Sequence, residues 1–282
     1  MKLWILAGAG AMLIAAAASA QTRERKDAPP LLPYKIILVG DSTMAPHSGW
    51  GSAFCGRHVK SSVACLNAGR GGRSTRSYRQ EGSWDIALAE AKVPGYRGTW
   101  VLIQFAHNDQ SSRPERWTEQ EKEFPANLRR MIQEVRDAGA VPVLLTPLTR
   151  RQFKGGKLQN NLVSWSDQVR KVAAEMKAPL VDLNARSAAI VDRMGARDAT
   201  QLAQLPPSAE ELAAAEAGTT LDPRPAPAGD PNPPADSRLP RGTVTRKFDY
   251  THVGDVGAEL FARLVTRDLA AAIPELRSQL VP

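Results

Sequence analysis

The sequence is poor in cysteine and histidine, with two cysteines (Cys55 and Cys65) and four histidines in 282 residues. Two cysteines are too few for a disulfide scaffold, and no C-x-x-C pair or Cys/His spacing of the zinc-site kind occurs. A metal is therefore not expected. Charge is close to balanced: 37 Lys and Arg against 29 Asp and Glu leave +8, without a concentrated basic run. That is a mild bias towards acidic partners, and no nucleic-acid partner is expected. Aromatic residues make up 6%, and none falls between Trp165 and Phe248. The rest is ordinary: 43% hydrophobic and 23% charged residues exclude a collagenous, wholly disordered or polytopic membrane protein. The length allows one large domain or two small ones, with ample material for a core.

The first twenty residues read as a targeting signal. Lys2 is a minimal positive start, Leu3 to Ala18 is apolar and alanine-rich, and Ala18-Ser19-Ala20 is a small-x-small cleavage pattern. The expectation is an exported protein, periplasmic or secreted, without stable membrane insertion after cleavage at residue 20. An uncleaved anchor is the alternative, because the run is close to spanning length. A lipid anchor is not expected, since no cysteine lies near the site. Residues 21–33 form a charged, then proline-rich lead-in to a single domain over 34–282.

Within that domain short apolar runs alternate with amphipathic stretches. Strands are expected at 36–39, 63–66, 100–105, 140–145 and 179–183. Helices are expected at 50–60, 118–138 (interrupted or restarted at Pro125), 160–176 and 254–272. Continuous apolar strands separated by helices indicate a parallel sheet covered on both faces. Residues 206–240 break the rhythm with nine of the 21 prolines. Ser208 and Glu211 look like a capping box opening a short helix. The whole stretch is expected to be a mobile surface insertion that leaves the domain and returns before Phe248.

In a parallel α/β sheet, sites form beyond the carboxyl ends of the strands. Those positions hold Gly40-Asp41-Ser42 after the first strand, Gly69-Arg70-Gly71-Gly72 after the second and His107-Asn108-Asp109 after the third. Asp249-Tyr250-Thr251-His252 precedes the last helix. A hydroxyl, glycine amides, a carboxamide and an Asp/His pair are the parts for acyl transfer through a serine nucleophile. Each has a plainer reading: Ser42 as an N-cap, Asn108 as a turn residue, Asp249 as a helix cap. The glycine cluster lacks dinucleotide spacing and a following Lys-Ser/Thr pair, so a nucleotide cofactor is not expected. Of the other histidines, His47 could line a cleft and His58 is expected on the surface.

Taken together, Gly40-Asp41-Ser42, Gly72, His107-Asn108-Asp109 and Asp249-x-x-His252 resemble the four ordered blocks of the SGNH (GDSL-like) hydrolases. Their finer spelling, Gly40-Asp-Ser-Thr-Met-Ala45, Gly72-Arg-Ser-Thr-Arg-Ser-Tyr78 and Phe105-x-His-Asn-Asp109, is similar to the rhamnogalacturonan acetylesterase branch. The resemblance spans about residues 35–273, outside the proline-rich insertion. It implies a three-layer α/β/α sandwich with a five-stranded, flavodoxin-like parallel sheet. It also implies Ser42 as nucleophile, His252 as base and Asp249 as its orienter. The Ser42 and Gly72 backbone amides and the Asn108 carboxamide are the implied oxyanion hole. No cofactor is implied. The branch usually has glycine at Ala106, where a methyl is expected to narrow the cleft beside Asn108.

Arg70, Arg73, Arg76 and Arg79 recur every three residues after the second strand, with Trp84 close behind. They read either as a basic edge for uronate groups or as a solvated loop with local ion pairs. Arg73, Arg76, His107 and Trp84 are the candidate substrate-binding residues. The leading expectation is an exported carbohydrate O-acetyl esterase working through an acetyl-serine intermediate on an acetylated, acidic saccharide. An esterase or thioesterase for small or lipidic acyl esters is a second reading. A glycan-binding domain without turnover is a third, against which the intact Ser42/Asn108/Asp249/His252 set argues. Export also makes a Cys55–Cys65 disulfide available, with two buried thiols as the alternative.

Overall fold

The computed structural model describes residues 32–221 and 248–282. The signal peptide expected over 1–20, residues 21–31 of the lead-in and residues 222–240 of the proline-rich stretch lie outside the described residues. Five parallel strands form the central sheet: β1 (Tyr34–Gly40), β2 (Val63–Asn67), β3 (Gly98–Gln104), β4 (Val141–Leu145) and, last in the chain, β7 (Leu180–Val181). Their order is β2-β1-β3-β4-β7, the flavodoxin-like arrangement implied by the sequence resemblance. A two-stranded antiparallel hairpin, β5 (Phe153–Lys154) with β6 (Lys157–Leu158), follows β4.

The apolar runs become strands because both faces of the sheet are buried. Ile36, Leu38, Trp100, Leu102, Val143 and Leu145 pack on one side, beneath α6 (Leu183–Thr200) and α8 (Asp255–Ala272). Ile37, Val39, Val101, Ile103 and Leu144 pack on the other side. There α2 (Thr75–Gln80), α3 (Ser83–Ala91), α4 (Glu123–Asp137) and α5 (Val163–Glu175) cover them. Pro125 does not interrupt α4. It lies in the first turn, where its missing N–H costs no helical hydrogen bond.

Three local expectations change. The helix expected over 50–60 is one α-turn, α1 (Gly51–Ala53), followed by a π-helical turn over Phe54–His58. That wider turn carries His58 inwards. Its ring is buried, with Nδ1 on the Val281 carbonyl at 2.7 Å and Nε2 on Glu259 at 3.1 Å, so His58 is not a surface residue. The third change concerns residues 206–221, which do not leave the domain. The expected capping box is present, with Ser208 Oγ accepting from the Glu211 amide and Glu211 accepting from the Ser208 amide, and it opens α7 (Ala209–Glu216). Residues 218–220 then dock on the β5–β6 hairpin. The Gly156 amide donates to Gly218 O at 2.8 Å and the Thr220 amide to Phe153 O at 3.0 Å.

Cys55 in the π-turn is bonded to Cys65 in β2, across ten residues of sequence. A cross-link closing so short a loop removes denatured-chain entropy worth about 3 kcal/mol. The Cys55→Ala/Cys65→Ala double variant is expected to lose about that much stability in urea unfolding while keeping its fold. An unchanged midpoint and slope would show that the bridge does not constrain the unfolded chain.

Candidate active site

The site forms where three adjacent strands end. β2, β1 and β3 lie side by side, with Gly40 in register with Gln104, so the loops after them share one edge of the sheet. Leaving β1, the chain makes a tight turn. Asp41 Oδ1 accepts from the Thr43 amide at 2.9 Å and from Thr43 Oγ1 at 2.8 Å. The Ala45 amide donates back to the Asp41 carbonyl at 3.0 Å. This turn presents Ser42, which is 8% exposed. Gln104 at the end of β3 braces it from below, donating to Thr43 Oγ1 and accepting from Trp50 Nε1.

Ser42 and His252, 210 residues apart in sequence, meet: His252 Nε2 lies 2.8 Å from Ser42 Oγ. On the other side of the ring, His252 Nδ1 lies 2.7 Å from Asp249 Oδ2. With Nδ1–H donating to the carboxylate, Nε2 is left as the acceptor for the serine proton. The other Asp249 oxygen accepts from the Thr251 and His252 amides at 2.8 and 2.7 Å. Burial pushes the Asp249 carboxyl up, but hydrogen bonds and charge from His252, with these amides, outweigh it and hold it at about 2. The orienting group is therefore an anion at neutral pH.

The loop after β2 returns to the same place. The Arg70 amide donates to Gly40 O at 2.9 Å, and a side chain on Gly71 would touch Ser42 Cβ at 3.8 Å. Gly72 has φ +76°, a conformation that favours glycine. The backbone amides of Ser42 and Gly72 donate to no described protein group. Asn108 Nδ2 donates one hydrogen to Arg73 O at 3.1 Å, which leaves its second hydrogen unused. Asp109 fixes this loop against the end of β3, accepting at Oδ1 from the Thr75 amide, Thr75 Oγ1 and Thr118 Oγ1. Burial pushes Asp109 up to about 7, against the pull of the Thr75 and Thr118 hydrogen bonds.

Other expected site residues stand elsewhere. Trp84 is buried against α4 with Nε1 donating to Glu134, where its ring packs rather than facing the Ser42 edge. Arg79 shares Glu134, Arg76 forks onto Glu123, and Arg73 pairs with Glu81 and the Gly71 carbonyl. The arginine repeat thus consists largely of local ion pairs, and Arg70 is exposed and has no ion-pair partner among the described residues. His107 is buried behind the site, with Nε2–H donating to Leu148 O at 2.8 Å. Burial keeps its ring neutral, well below the usual histidine range. It braces β3 to the loop after β4. His47 is exposed on the loop after Ser42. Ala106 has φ +126°, a strained conformation for a residue with a Cβ, which explains why glycine is usual there. Its methyl is fully buried in the core, so it does not narrow the cleft.

Sequence reasoning missed three arginines. Arg116 lies over Gly72, with its guanidinium 3.2 Å from where a Cβ there would stand, and its nearest carboxylate is Glu115 at 3.8 Å. Arg150 donates to Asn161 and has no carboxylate within ion-pair distance among the described residues, although Asp41 and Asp249 act on its charge. Arg151 is fully buried beneath the Asp249–His252 turn. Arg150 and Arg151 follow the carboxyl end of β4, the kind of position that yielded the other candidates.

The arrangement suits nucleophilic attack by serine on an ester carbonyl. Comparison with known proteins agrees. The model of the GDSL-like Lipase/Acylhydrolase family matches residues 38–209, a span that ends before Asp249 and His252. Rhamnogalacturonan acetylesterase RhgT of Bacillus subtilis is 33% identical over 60% of this chain and 73% of its own. YesY of the same organism, named a probable rhamnogalacturonan acetylesterase, is 32% identical over 57% of this chain and 75% of its own. The crystal structure of Bacillus subtilis protein YxiM superposes with a TM-score of 0.60 at 22% identity, covering 86% of this chain and 57% of that one, and shows the same fold. The chain belongs to the GDSL-like lipase/acylhydrolase family and is a serine carboxylic ester hydrolase.

Proposed function

We propose that this protein is an exported carbohydrate O-acetylesterase that deacetylates an acidic polysaccharide of the rhamnogalacturonan type. The observation carrying the reading is the hydrogen-bonded line from Ser42 Oγ through His252 to Asp249, beside three donors at Ser42, Gly72 and Asn108 that no described protein group takes up. Ser42 attacks the acetyl carbonyl while His252 Nε2 takes its proton. The three donors stabilise the oxyanion, and His252 returns the proton to the leaving sugar oxygen. Water then attacks acetyl-Ser42 by the same route and releases acetate.

The finer substrate reading rests on the names of the relatives and on two cations. Among the described residues, Arg116 beside the oxyanion loop and Arg150, whose charge Asp249 acts on, lack the close carboxylate partners that occupy Arg73, Arg76 and Arg79. A guanidinium without a close carboxylate partner is suited to a substrate carboxylate. Export is supported by the N-terminal signal pattern and by the Cys55–Cys65 bridge, which persists in oxidising compartments.

Acetate release from acetylated rhamnogalacturonan and from acetylated xylan tests this reading. The acidic polymer is expected to be preferred, and Arg116→Met is expected to lower that preference about tenfold, the worth of one charge-assisted contact. A p-nitrophenyl ester series adds the acyl chain. Preference for long acyl chains, or no acetate release from either polymer, would overturn the proposal.

A further inference from the structure

Asp249 and His252 sit on a stretch with no regular secondary structure, so no sheet ladder or helix holds their backbone. Arg151, just beyond β4, holds it instead. Its guanidinium donates to the carbonyls of Asp249 at 2.9 Å, Thr251 at 3.3 Å and His252 at 2.7 Å. Its own backbone amide donates to the Tyr250 carbonyl at 2.8 Å. One residue thus takes all four carbonyls of the turn, from a point about 100 residues earlier in the chain.

Arg151 is fully buried, and no carboxylate lies within ion-pair distance of it among the described residues. Burying a cation without a counter-ion is costly, and burial lowers its basicity to about 10. A buried methionine or leucine would fill the space without that cost. What an apolar side chain lacks is a rigid fork of donors matched to several carbonyls at once. The turn is also tied within itself, by the Thr251 and His252 amides on Asp249 Oδ1 and by Tyr250 against Phe248, and past the imidazole by the Val253 amide on Ser48 O and the Gly254 amide on Leu202 O.

We infer that Arg151 is a positioning residue for the acyl-transfer reaction, setting the Asp249–His252 turn so that the imidazole meets Ser42. This rests on the reading of Ser42, His252 and Asp249 as the reacting groups. Displacing a catalytic group by about 1 Å costs on the order of 10²-fold in rate. Arg151→Met is expected to lower kcat for p-nitrophenyl acetate on that scale with KM nearly unchanged, because Arg151 touches no substrate. Arg151→Lys, which keeps the charge but not the fork, is expected to recover only part of the rate. Methylguanidinium added to Arg151→Ala is expected to restore activity in a saturable way. Wild-type kcat in folded Arg151→Met would overturn the inference. Should the methionine variant not fold, the lysine variant decides. A folded Lys variant with reduced kcat and unchanged KM supports positioning, whereas full activity, or failure to fold, overturns it. Ser42→Ala run alongside separates the two readings: if it stays active, the site itself is wrong, and Arg151 is not the cause.

Discussion

Ser42→Ala is expected to lower kcat for p-nitrophenyl acetate by at least ~10³-fold while the protein stays folded. The hydroxyl removed is the atom 2.8 Å from His252 Nε2, and without it no acyl-enzyme forms. What remains is attack by water, helped only by the oxyanion donors and substrate binding. Stability should change little, because the turn that presents Ser42 is held elsewhere. Asp41 Oδ1 grips Thr43, and Ser48 Oγ donates to the Ser42 backbone carbonyl, which the substitution leaves in place. Circular dichroism and the thermal midpoint check the fold, while stopped-flow detection of an acyl burst checks the covalent step. A folded variant with near-normal turnover would mean that another nucleophile acts, or that water is activated directly by His252.

The parts of this site that were legible in the sequence share a physical property: each lies at a strand end or helix start whose apolar neighbours announce the element. Ile36 to Val39 gave the place of Ser42, and the 100–105 run gave that of Asn108. The rule that parallel sheets expose their carboxyl ends picked out both positions, while the roles of the two residues were implied by the family resemblance. Arg151 also follows a legible strand, but nothing nearby singled it out, since its partners are backbone carbonyls 98 to 101 residues downstream and carry no side-chain signature. The arginine repeat was ambiguous for a related reason. Spacing of three reveals a segment rich in cations, but whether they face substrate depends on Glu81, Glu123 and Glu134, two of them on a different helix. His58 was misplaced because a π-turn cannot be told from an α-turn by apolar spacing over so few residues. Two-residue strands such as β5 and β6 carry too little pattern to be read, so the docking of residues 218–220 on that hairpin stayed hidden.

Asn108→Ala is expected to lower kcat by about 10²–10³ with little change in KM. The difference between the two constants follows from where charge appears. In the ground state the ester oxygen is a weak acceptor, and a carboxamide hydrogen gains little there over water. As Ser42 adds, that oxygen becomes an alkoxide, and a fixed donor in a half-buried site then counts fully. Asn108 is fixed because its other hydrogen is spent on Arg73 O at 3.1 Å, so the side chain need not reorganise as the charge develops. That bond introduces a competing explanation: alanine also releases the Arg73 carbonyl and could loosen the loop carrying Gly72. Arg73→Ala separates the two, since it keeps the backbone carbonyl that Asn108 holds but removes the side chain's own bonds to Glu81 and the Gly71 carbonyl. If disorder in this loop were enough to cause the effect, Arg73→Ala, which frees the Gly71 carbonyl from the other side, would cost as much as Asn108→Ala. The expected result is a loss of less than about tenfold for Arg73→Ala, because the Ser74 cap and the Asp109 carboxylate still hold the start of α2. A loss confined to KM in Asn108→Ala would instead place this side chain on the substrate rather than on the oxyanion.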